Sequence, residues 1–390
     1  MFIPSLLTQS LKQSGIRAAS QHCARIGGIN LGQGICDLPA PDLIKQEAYE
    51  AIEHDKSIYS ACEGIFPLRQ AVANKIQTFN HIPVEPENVI ITHGSTGAFV
   101  CLARTLFNPG DEAIVFEPFY GYHKTILELM GVQVHGVPIH LDKEFFIDYQ
   151  QLADSITSKT KAIIVCTPNN PTGKVYSREE LLTIGRIAEE KNLYVITDEI
   201  YEYITYPGFE HVSLASLENF KERTITLSGF SKTYNMTGWR LGYASGPSAI
   251  IEKMALVQDL FYVCPATPLQ YALLAAFKLE PQYFDTMRTM YYEKGQQAVS
   301  ELTDMGFDVT RPQGAYYLLA DFRKLGFKDD KEASTFLLEK AKVASVTGSS
   351  FYLNPEQGKH CLRFCYALNE QAVTQAFQQM RDALNKYINI

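Results

Sequence analysis

From residue 88 onward, short apolar runs rich in β-branched residues alternate with stretches that have helical periodicity. Examples of the helical stretches are residues 96–107 and 177–191. Continuous apolar strands separated by helices predict a mostly parallel sheet that is covered on both faces. Ligands bind at the carboxyl ends of the strands in such sheets, so functional residues are expected there. The strand candidates are 88–94, 112–118, 161–168, 193–200 and 224–230.

The last hundred residues have a different pattern, in which long polar helices bracket the strand candidates 314–322 and 359–368. This pattern predicts a smaller α+β domain, and the first 45 or so residues have no obvious place in the central sheet. We therefore predict a large domain over residues 46–284. Residues 1–45 together with 285–390 are predicted to form an N-terminal arm and a small C-terminal domain.

Composition excludes several classes of function. The net charge of −8 argues against a nucleic-acid binder, and no apolar run reaches the roughly 18 to 20 residues of a membrane span. Eight scattered cysteines without a C-x-x-C pair indicate reduced thiols in a cytoplasmic protein, with no metal site. We expect no secretory signal, although the basic, acid-poor start before Asp37 is also compatible with a transit peptide.

Three familiar motifs are incomplete. The stretch "LGQGICD" (31–37) begins like a dinucleotide fingerprint, but Asp37 replaces the third glycine. The stretch "SGFSK" has Thr233 where a nucleophile elbow needs its second glycine. Gly229 stands where S-x-x-K needs its serine. None of these three chemistries is therefore predicted.

Two strand ends carry polar residues that suit ligand binding. In "THGSTGAF" (92–99) a helix begins directly after a strand, so free backbone N–H groups and the hydroxyls of Ser95 and Thr96 form a potential anion site. In "CTPNNPTGKVY" (166–176) the amide of Asn170 is free to donate. An ordinary helix cap and an ordinary turn are the alternative interpretations.

Charged residues follow two further strands. Asp198 ends an apolar strand, where a carboxylate is costly unless it is paired, and Tyr201 follows it; the alternative is a helix N-cap. In "SGFSKTYNMTGWRLGY", Lys232 and Arg240 lie among small and aromatic residues without any acid. Such surroundings lower the pKa of a lysine, and a buried arginine suits phosphate. A lysine, a carboxylate and a phosphate cradle together indicate pyridoxal phosphate chemistry.

The chain resembles the class I/II aminotransferases of the aspartate aminotransferase fold, which are pyridoxal-phosphate enzymes of fold type I, over essentially its whole length. The resemblance rests on "SKTYNMTGWRLGY", "NNPTG", "DEIY" and the Gly-Ser-Thr-Gly turn, which occur in the family's order. It implies a three-layer α/β large domain with a mostly parallel sheet and a smaller α+β domain. It also implies pyridoxal 5′-phosphate as the cofactor.

The resemblance implies a role for each matching residue around the cofactor. Lys232 resembles the Schiff-base lysine that also moves the substrate proton, and Asp198 resembles the carboxylate that pairs with the pyridine nitrogen. Tyr201 and Asn170 resemble the pair that binds the ring oxygen O3′. The remaining cofactor contacts that it implies are a phosphate cradle of Ser95, Thr96 and Arg240, and a stacking aromatic ring at Tyr120.

Three more residues are assigned in the same way. Tyr59 resembles the tyrosine that reaches the partner subunit's phosphate, which implies a homodimer. Gly34 and Arg363 resemble the backbone donor and the arginine that bind the substrate α-carboxylate, and Asn170 is expected to contact the substrate as well. Gly229 departs from the family, because many relatives have Ser or Thr at that place. Ser228 or Ser231 could supply the hydroxyl, and we name Ser231.

The implied reaction is the ping-pong transfer of an amino group from an L-amino acid to a 2-oxo acid, with 2-oxoglutarate as the expected acceptor. The donor is expected to be aspartate, an aromatic amino acid, methionine, or glutamine or kynurenine. A carbon–sulfur β-lyase or decarboxylase of the same fold is the alternative. A ligand-sensing regulator is disfavoured, since only about 30 residues precede "LGQG".

Overall fold

A computed structural model describes residues 5–9, 15–34 and 36–388. Helices and strands are numbered here in chain order. The helices are α1 (Leu6–Gln9), α2 (Gly15–Arg25), α3 (Asp42–Glu53), α4 (Phe66–Phe79), α5 (Gly94–Leu106), α6 (Gly121–Leu129), α7 (Tyr149–Asp154), α8 (Arg178–Glu190), α9 (Ser248–Tyr262), α10 (Thr267–Ala272), α11 (Pro281–Asp304), α12 (Asp330–Lys340) and α13 (Glu370–Ile388). The strands are β1 (Ile29–Asn30), β2 (Val89–Thr92), β3 (Glu112–Glu117), β4 (Gln133–His140), β5 (Phe146–Ile147), β6 (Thr160–Cys166), β7 (Tyr194–Asp198), β8 (Thr224–Gly229), β9 (Gly242–Ser245), β10 (Asp308–Val309), β11 (Tyr317–Asp321), β12 (Val343–Ala344), β13 (Val346–Thr347) and β14 (Cys361–Cys365).

A central sheet of eight strands has the order β2-β9-β8-β7-β6-β3-β4-β5. The strands β8, β7, β6, β3 and β4 pair in parallel, and β9 and β5 join by antiparallel pairing. The five apolar runs predicted as strands are β2, β3, β6, β7 and β8, and they are almost completely buried. The predicted mostly parallel α/β sheet is therefore confirmed.

The carboxyl ends of β6, β7 and β8 lie side by side. Cys166 at the end of β6 pairs with Asp198 on β7, and Asp198 pairs with Leu227 on β8. Gly242 on β9 pairs with Gly229 on one side and with Thr92 at the end of β2 on the other. This register brings the polar strand ends identified in the sequence to one edge of the sheet.

A second sheet has the antiparallel order β10-β11-β14-β13, and it contains the two strands predicted near the C-terminus. Strand β1 pairs in parallel with β12, so the N-terminal segment contacts the C-terminal part of the chain. The division of the chain at residues 45/46 and 284/285 stays a prediction. Within the described residues, none of the helices combines the length and the apolar character that crossing a bilayer requires.

A buried ion pair lies behind the β7–β8 strand ends. Lys75 Nζ lies 2.6 Å from Glu202 Oε1, and the hydroxyls of Ser228 and Tyr243 donate to the same oxygen at 2.8 and 3.1 Å. Asn80 donates to the other carboxylate oxygen at 2.8 Å. Although burial opposes it, the nearby Lys75 ammonium holds the pKa of Glu202 below its usual value. These contacts occupy the hydroxyl of Ser228.

Candidate active site

A cavity of about 440 Å³ lies at the carboxyl ends of the central strands. Almost every predicted site residue lines it: Gly34, Ser95, Thr96, Tyr120, Asn170, Asp198, Tyr201, Ser231, Lys232, Arg240 and Arg363. Tyr59 does not line it, and its side chain is 81% exposed on the surface. The fold therefore brings together residues that lie more than 300 positions apart in the chain.

One end of the cavity has the form of an anion cradle. Helix α5 begins at Gly94, which has φ of +70°, and a Cβ added there would lie 2.5 Å from the Arg240 guanidinium. A Cβ at Gly242 would lie 2.7 Å from the backbone nitrogen of Ser95. Because both positions are glycine, the guanidinium and strand β9 can lie close to the start of the helix. The expectation that Arg240 is buried is wrong, since its side chain is exposed. Ser95 and Thr96 in its first turn complete a site that suits phosphate.

The glycine at position 229 has a steric cause. Gly229 pairs with Gly242 on the neighbouring strand, and a Cβ at position 229 would lie 2.8 Å from the Gly242 Cα. The hydroxyl common at this place in relatives therefore has no room here. Of the two serines considered as its substitute, Ser231 lines the cavity, whereas Ser228 donates to Glu202.

Asp198 provides a buried carboxylate at the floor of the cavity. Its Oδ2 lies 3.0 Å from His123 Nε2, and its Oδ1 accepts from the backbone nitrogen of Ile200 at 3.3 Å. No α-helix begins at Asp198, so the alternative interpretation of a helix N-cap is wrong. A buried carboxylate with these partners can pair with a protonated heterocyclic nitrogen.

Lys232 presents an activated amine to the cavity. Its Nζ donates to the backbone oxygen of Gly34 at 3.1 Å and lies 5.9 Å from the centre of the Tyr201 ring. Burial lowers the pKa of Lys232 to about 8. Two neighbouring thiols act to raise this pKa, whereas the nearby Arg240 and Arg363 cations lower it further. The lowered pKa was expected from the sequence, and it makes the neutral, nucleophilic amine accessible near neutral pH.

The cavity is also lined by Arg363, which is 1% exposed. It donates to Asn170 Oδ1 at 2.7 Å and to the backbone oxygen of Gly32 at 2.5 Å, while its buried Nε has no protein partner. Its guanidinium carbon lies 4.4 Å from the centre of the Tyr317 ring. Across the described ranges of the chain, no carboxylate forms an ion pair with Arg363. A buried, oriented guanidinium of this kind can bind a carboxylate ligand.

Comparison with known proteins identifies the family. The model of the family "Aminotransferase class I and II" matches residues 26–380. The chain belongs to the class I and II aminotransferases. It is 35% identical to "Aromatic-amino-acid aminotransferase 2" of Thermococcus litoralis and to "Aspartate aminotransferase" of Pyrococcus abyssi, over 92% of each chain in both cases. The resemblance to this family inferred from the motifs is therefore confirmed.

Solved structures agree with this assignment. The aspartate aminotransferase of Thermus thermophilus with maleate superposes with a TM-score of 0.92 at 33% identity, covering 98% of this chain and 100% of the other. The N-succinyldiaminopimelate aminotransferase of Mycobacterium tuberculosis gives a TM-score of 0.93 at 32% identity, with the same coverage. The fold class is confirmed, and the protein is an aminotransferase.

The aminotransferase site also contains residues that the sequence did not single out. His123 contacts Asp198, and Arg17, Gln33, Tyr122 and Tyr317 line the cavity. His123 lies three residues after Tyr120, and this closeness in the sequence was a usable signal, because Tyr120 is the N-cap residue of α6 and His123 lies in its first turn. Tyr317 had no comparable signal, because it is adjacent to Tyr316, both are buried, and no pattern in the sequence tells which of the two lines the cavity.

Proposed function

We propose that this aminotransferase binds pyridoxal 5′-phosphate and transfers an amino group from an L-amino acid to a 2-oxo acid. The observation that carries the proposal is the single cavity that joins Lys232, Asp198 and the Arg240 cradle. Its donor set fits this cofactor: an anion site at one end, a buried carboxylate for a ring nitrogen, and an amine of lowered pKa for an aldehyde.

Each contact to the cofactor then has a proposed residue. The start of α5 with Ser95, Thr96, Ser231 and Arg240 would hold the phosphate. Asp198, oriented by His123, would hold the ring nitrogen protonated. Tyr201 and Asn170 would bind the ring hydroxyl oxygen, and Tyr120 would stack on the ring. When bound, the cofactor supplies an electron sink that stabilises negative charge at the substrate α-carbon.

The protein's own residues orient the substrate and move its proton. Arg363 would bind the α-carboxylate bidentately, and Gly34 would add a backbone donor, so the α-carbon is held towards Lys232. The neutral amine of Lys232 would accept the α-proton and return it at the other end of the transfer. Donor and acceptor both carry an α-carboxylate, so Arg363 serves each in turn, as a ping-pong mechanism requires.

The donor is proposed to be aspartate, an aromatic amino acid, methionine, or glutamine or kynurenine. Named relatives are aspartate and aromatic-amino-acid aminotransferases. The cavity lining includes Arg17, which can pair with an acidic substrate side chain, and the rings of Tyr120 and Tyr122, which can pack against an aromatic one. The donor class is tested directly by measuring glutamate formation from 2-oxoglutarate with each of a panel of amino acid donors.

The same panel separates transamination from the β-lyase or decarboxylase alternative. A transaminase releases no ammonia or carbon dioxide and turns over only when a 2-oxo acid is present. We therefore expect 2-oxo acid and glutamate in equal amounts with acceptor, and a single turnover at most without it. Multiple turnovers that release ammonia or carbon dioxide without acceptor would support the alternative instead.

We also propose a cytoplasmic homodimer in which Tyr59 reaches the partner's phosphate. Large apolar side chains are exposed on the described surface, including Ile58 and Tyr59 at 81% and Leu260 at 85%. Ile58 and Tyr59 are adjacent in the chain, and adjacent apolar exposure is typical of interaction surfaces. The eight cysteines are free, which supports a reducing compartment. We expect light scattering to give twice the 43.8 kDa chain mass, and Tyr59→Phe to weaken cofactor binding.

A further inference from the structure

Tyr317 contacts Tyr201, a proposed cofactor ligand, and Arg363, the proposed substrate ligand, yet it has no role in the mechanism above. It begins strand β11, pairs with Cys365 on β14 and is only 2% exposed. Its hydroxyl lies 3.0 Å from the hydroxyl of Tyr201, and its ring lies 4.4 Å from the guanidinium carbon of Arg363. One side chain therefore joins two groups that bind different ligands.

The hydroxyl pair has a defined direction under the proposed function. If Tyr201 donates its proton to the ring oxygen of the cofactor, its own oxygen is left to accept from Tyr317. A hydroxyl that accepts a hydrogen bond becomes a stronger donor, by about 10–30% per bond in condensed-phase estimates. The hydroxyl of Tyr317 therefore strengthens the hydrogen bond that Tyr201 makes.

The ring of Tyr317 acts on Arg363. The guanidinium lies over the Tyr317 ring, and the ring of Phe351 lies 5.0 Å from the same carbon. The two rings stabilise the Arg363 guanidinium by cation–π contacts, and no carboxylate among the described residues forms an ion pair with it. Burial raises the pKa of Tyr317 to about 12 while Arg363 opposes that rise, so the hydroxyl stays protonated.

Gly34 meets the same side chain. A Cβ added at Gly34 would lie 1.6 Å from the hydroxyl oxygen of Tyr317, closer than any non-bonded contact allows. The glycine therefore lets the segment that carries a proposed substrate donor lie directly against this hydroxyl.

We propose that Tyr317 is a positioning residue for the aminotransferase reaction: its hydroxyl polarises Tyr201, and its ring orients Arg363. The proposal rests on the proposed function, in which Tyr201 binds the cofactor and Arg363 binds the substrate carboxylate. The two effects belong to different atoms of one side chain, so different substitutions separate them.

The test uses three variants of the cofactor-loaded enzyme. Tyr317→Phe removes the hydroxyl and keeps the ring, and Tyr317→Leu removes both. Tyr366→Phe is the matched control, because Tyr366 forms a similar buried hydroxyl pair with Tyr206 at 2.7 Å and does not line the cavity. The readouts are the pH midpoint of the visible absorbance band of the lysine-linked cofactor, and KM and kcat for the amino donor.

A weaker donor at Tyr201 stabilises the anionic ring oxygen less, so the absorbance midpoint should move to higher pH in Tyr317→Phe, by about 0.3–0.7 of a unit. Its KM should stay within about twofold of wild type, whereas Tyr317→Leu should raise KM about fivefold or more through the loss of the cation–π contact. Tyr366→Phe should move neither quantity.

An unchanged midpoint in Tyr317→Phe, or an equal shift in Tyr366→Phe, overturns the proposal for the hydroxyl. Equal KM values for Tyr317→Phe and Tyr317→Leu overturn the proposal for the ring. If Tyr317→Leu does not fold, the comparison of Tyr317→Phe with Tyr366→Phe still decides the role of the hydroxyl. Failure of the wild-type enzyme to form a visible band at all would instead refute the cofactor assignment on which the proposal rests.

Discussion

Restoring a serine at position 229, where many relatives have Ser or Thr, should harm this protein. The new Cβ would lie 2.8 Å from the Gly242 Cα and 3.3 Å from the Leu241 oxygen, both of which are backbone atoms that cannot rotate away. Overpacking of this kind costs about 1–3 kcal/mol, and the gain from replacing a strand glycine offsets about 0.5–1 kcal/mol. We expect Gly229→Ser to lower the free energy of unfolding by up to about 2.5 kcal/mol.

The same substitution should weaken cofactor binding. Displacement of Gly242 moves strand β9 against Gly94 and the Ser95 backbone nitrogen, which form the proposed phosphate cradle. Urea unfolding of the cofactor-free protein and absorbance titration with pyridoxal phosphate measure the two effects. Gly121→Ala is the control, because a Cβ there meets only the Ser350 oxygen at 3.8 Å. A Gly229→Ser protein as stable as wild type that binds the cofactor more tightly would refute this reasoning.

Three further predictions follow from the buried charges. Arg363→Lys should lower kcat/KM by about 100-fold or more, because an ammonium cannot replace a bidentate guanidinium. Initial rates with a panel of amino acid donors check this, and kcat/KM should fall by the same factor for every donor. Lys75→Met should lower the free energy of unfolding by about 3–5 kcal/mol, because it leaves Glu202 buried without its cation. The double variant Lys75→Met/Glu202→Gln should recover part of that loss in the same urea unfolding assay. Uptake of pyridoxal phosphate by the cofactor-free protein needs the neutral amine of Lys232. The rate of uptake should therefore rise with pH and level off above the Lys232 pKa of about 8. A rate that continues to rise towards pH 10 would indicate a lysine with an ordinary pKa.

The central strands could be predicted because each is a continuous apolar run. Strands β2, β3, β6, β7 and β8 are buried on both faces, so they contain few polar residues to obscure them. Strand β4 was missed because its sequence "QVHGVPIH" includes Gly136 and Pro138. Strand β9 was missed because its sequence "GYAS" consists mostly of small residues and contains no β-branched one. Both are strands here because neighbouring strands supply their backbone partners.

The site residues could be predicted where a motif at a strand end carried them, as with Asp198 and Lys232. His123 and Tyr317 were not predicted, because each acts through a contact that only the tertiary fold creates. The reason for Gly229 was equally hidden, since it depends on Gly242, a residue on another strand. Motifs therefore identified the groups proposed to touch the ligands, while the residues that orient those groups required the structure.

The central claim is that Lys232 binds the cofactor covalently. The most direct measurement is to load the wild-type enzyme with pyridoxal phosphate, reduce it with borohydride and map the modified peptide by mass spectrometry. We predict one modification per chain, on Lys232, and the loss of both the modification and the visible absorbance band in Lys232→Ala. A modification on another lysine, or a visible band that persists in Lys232→Ala, would contradict the account.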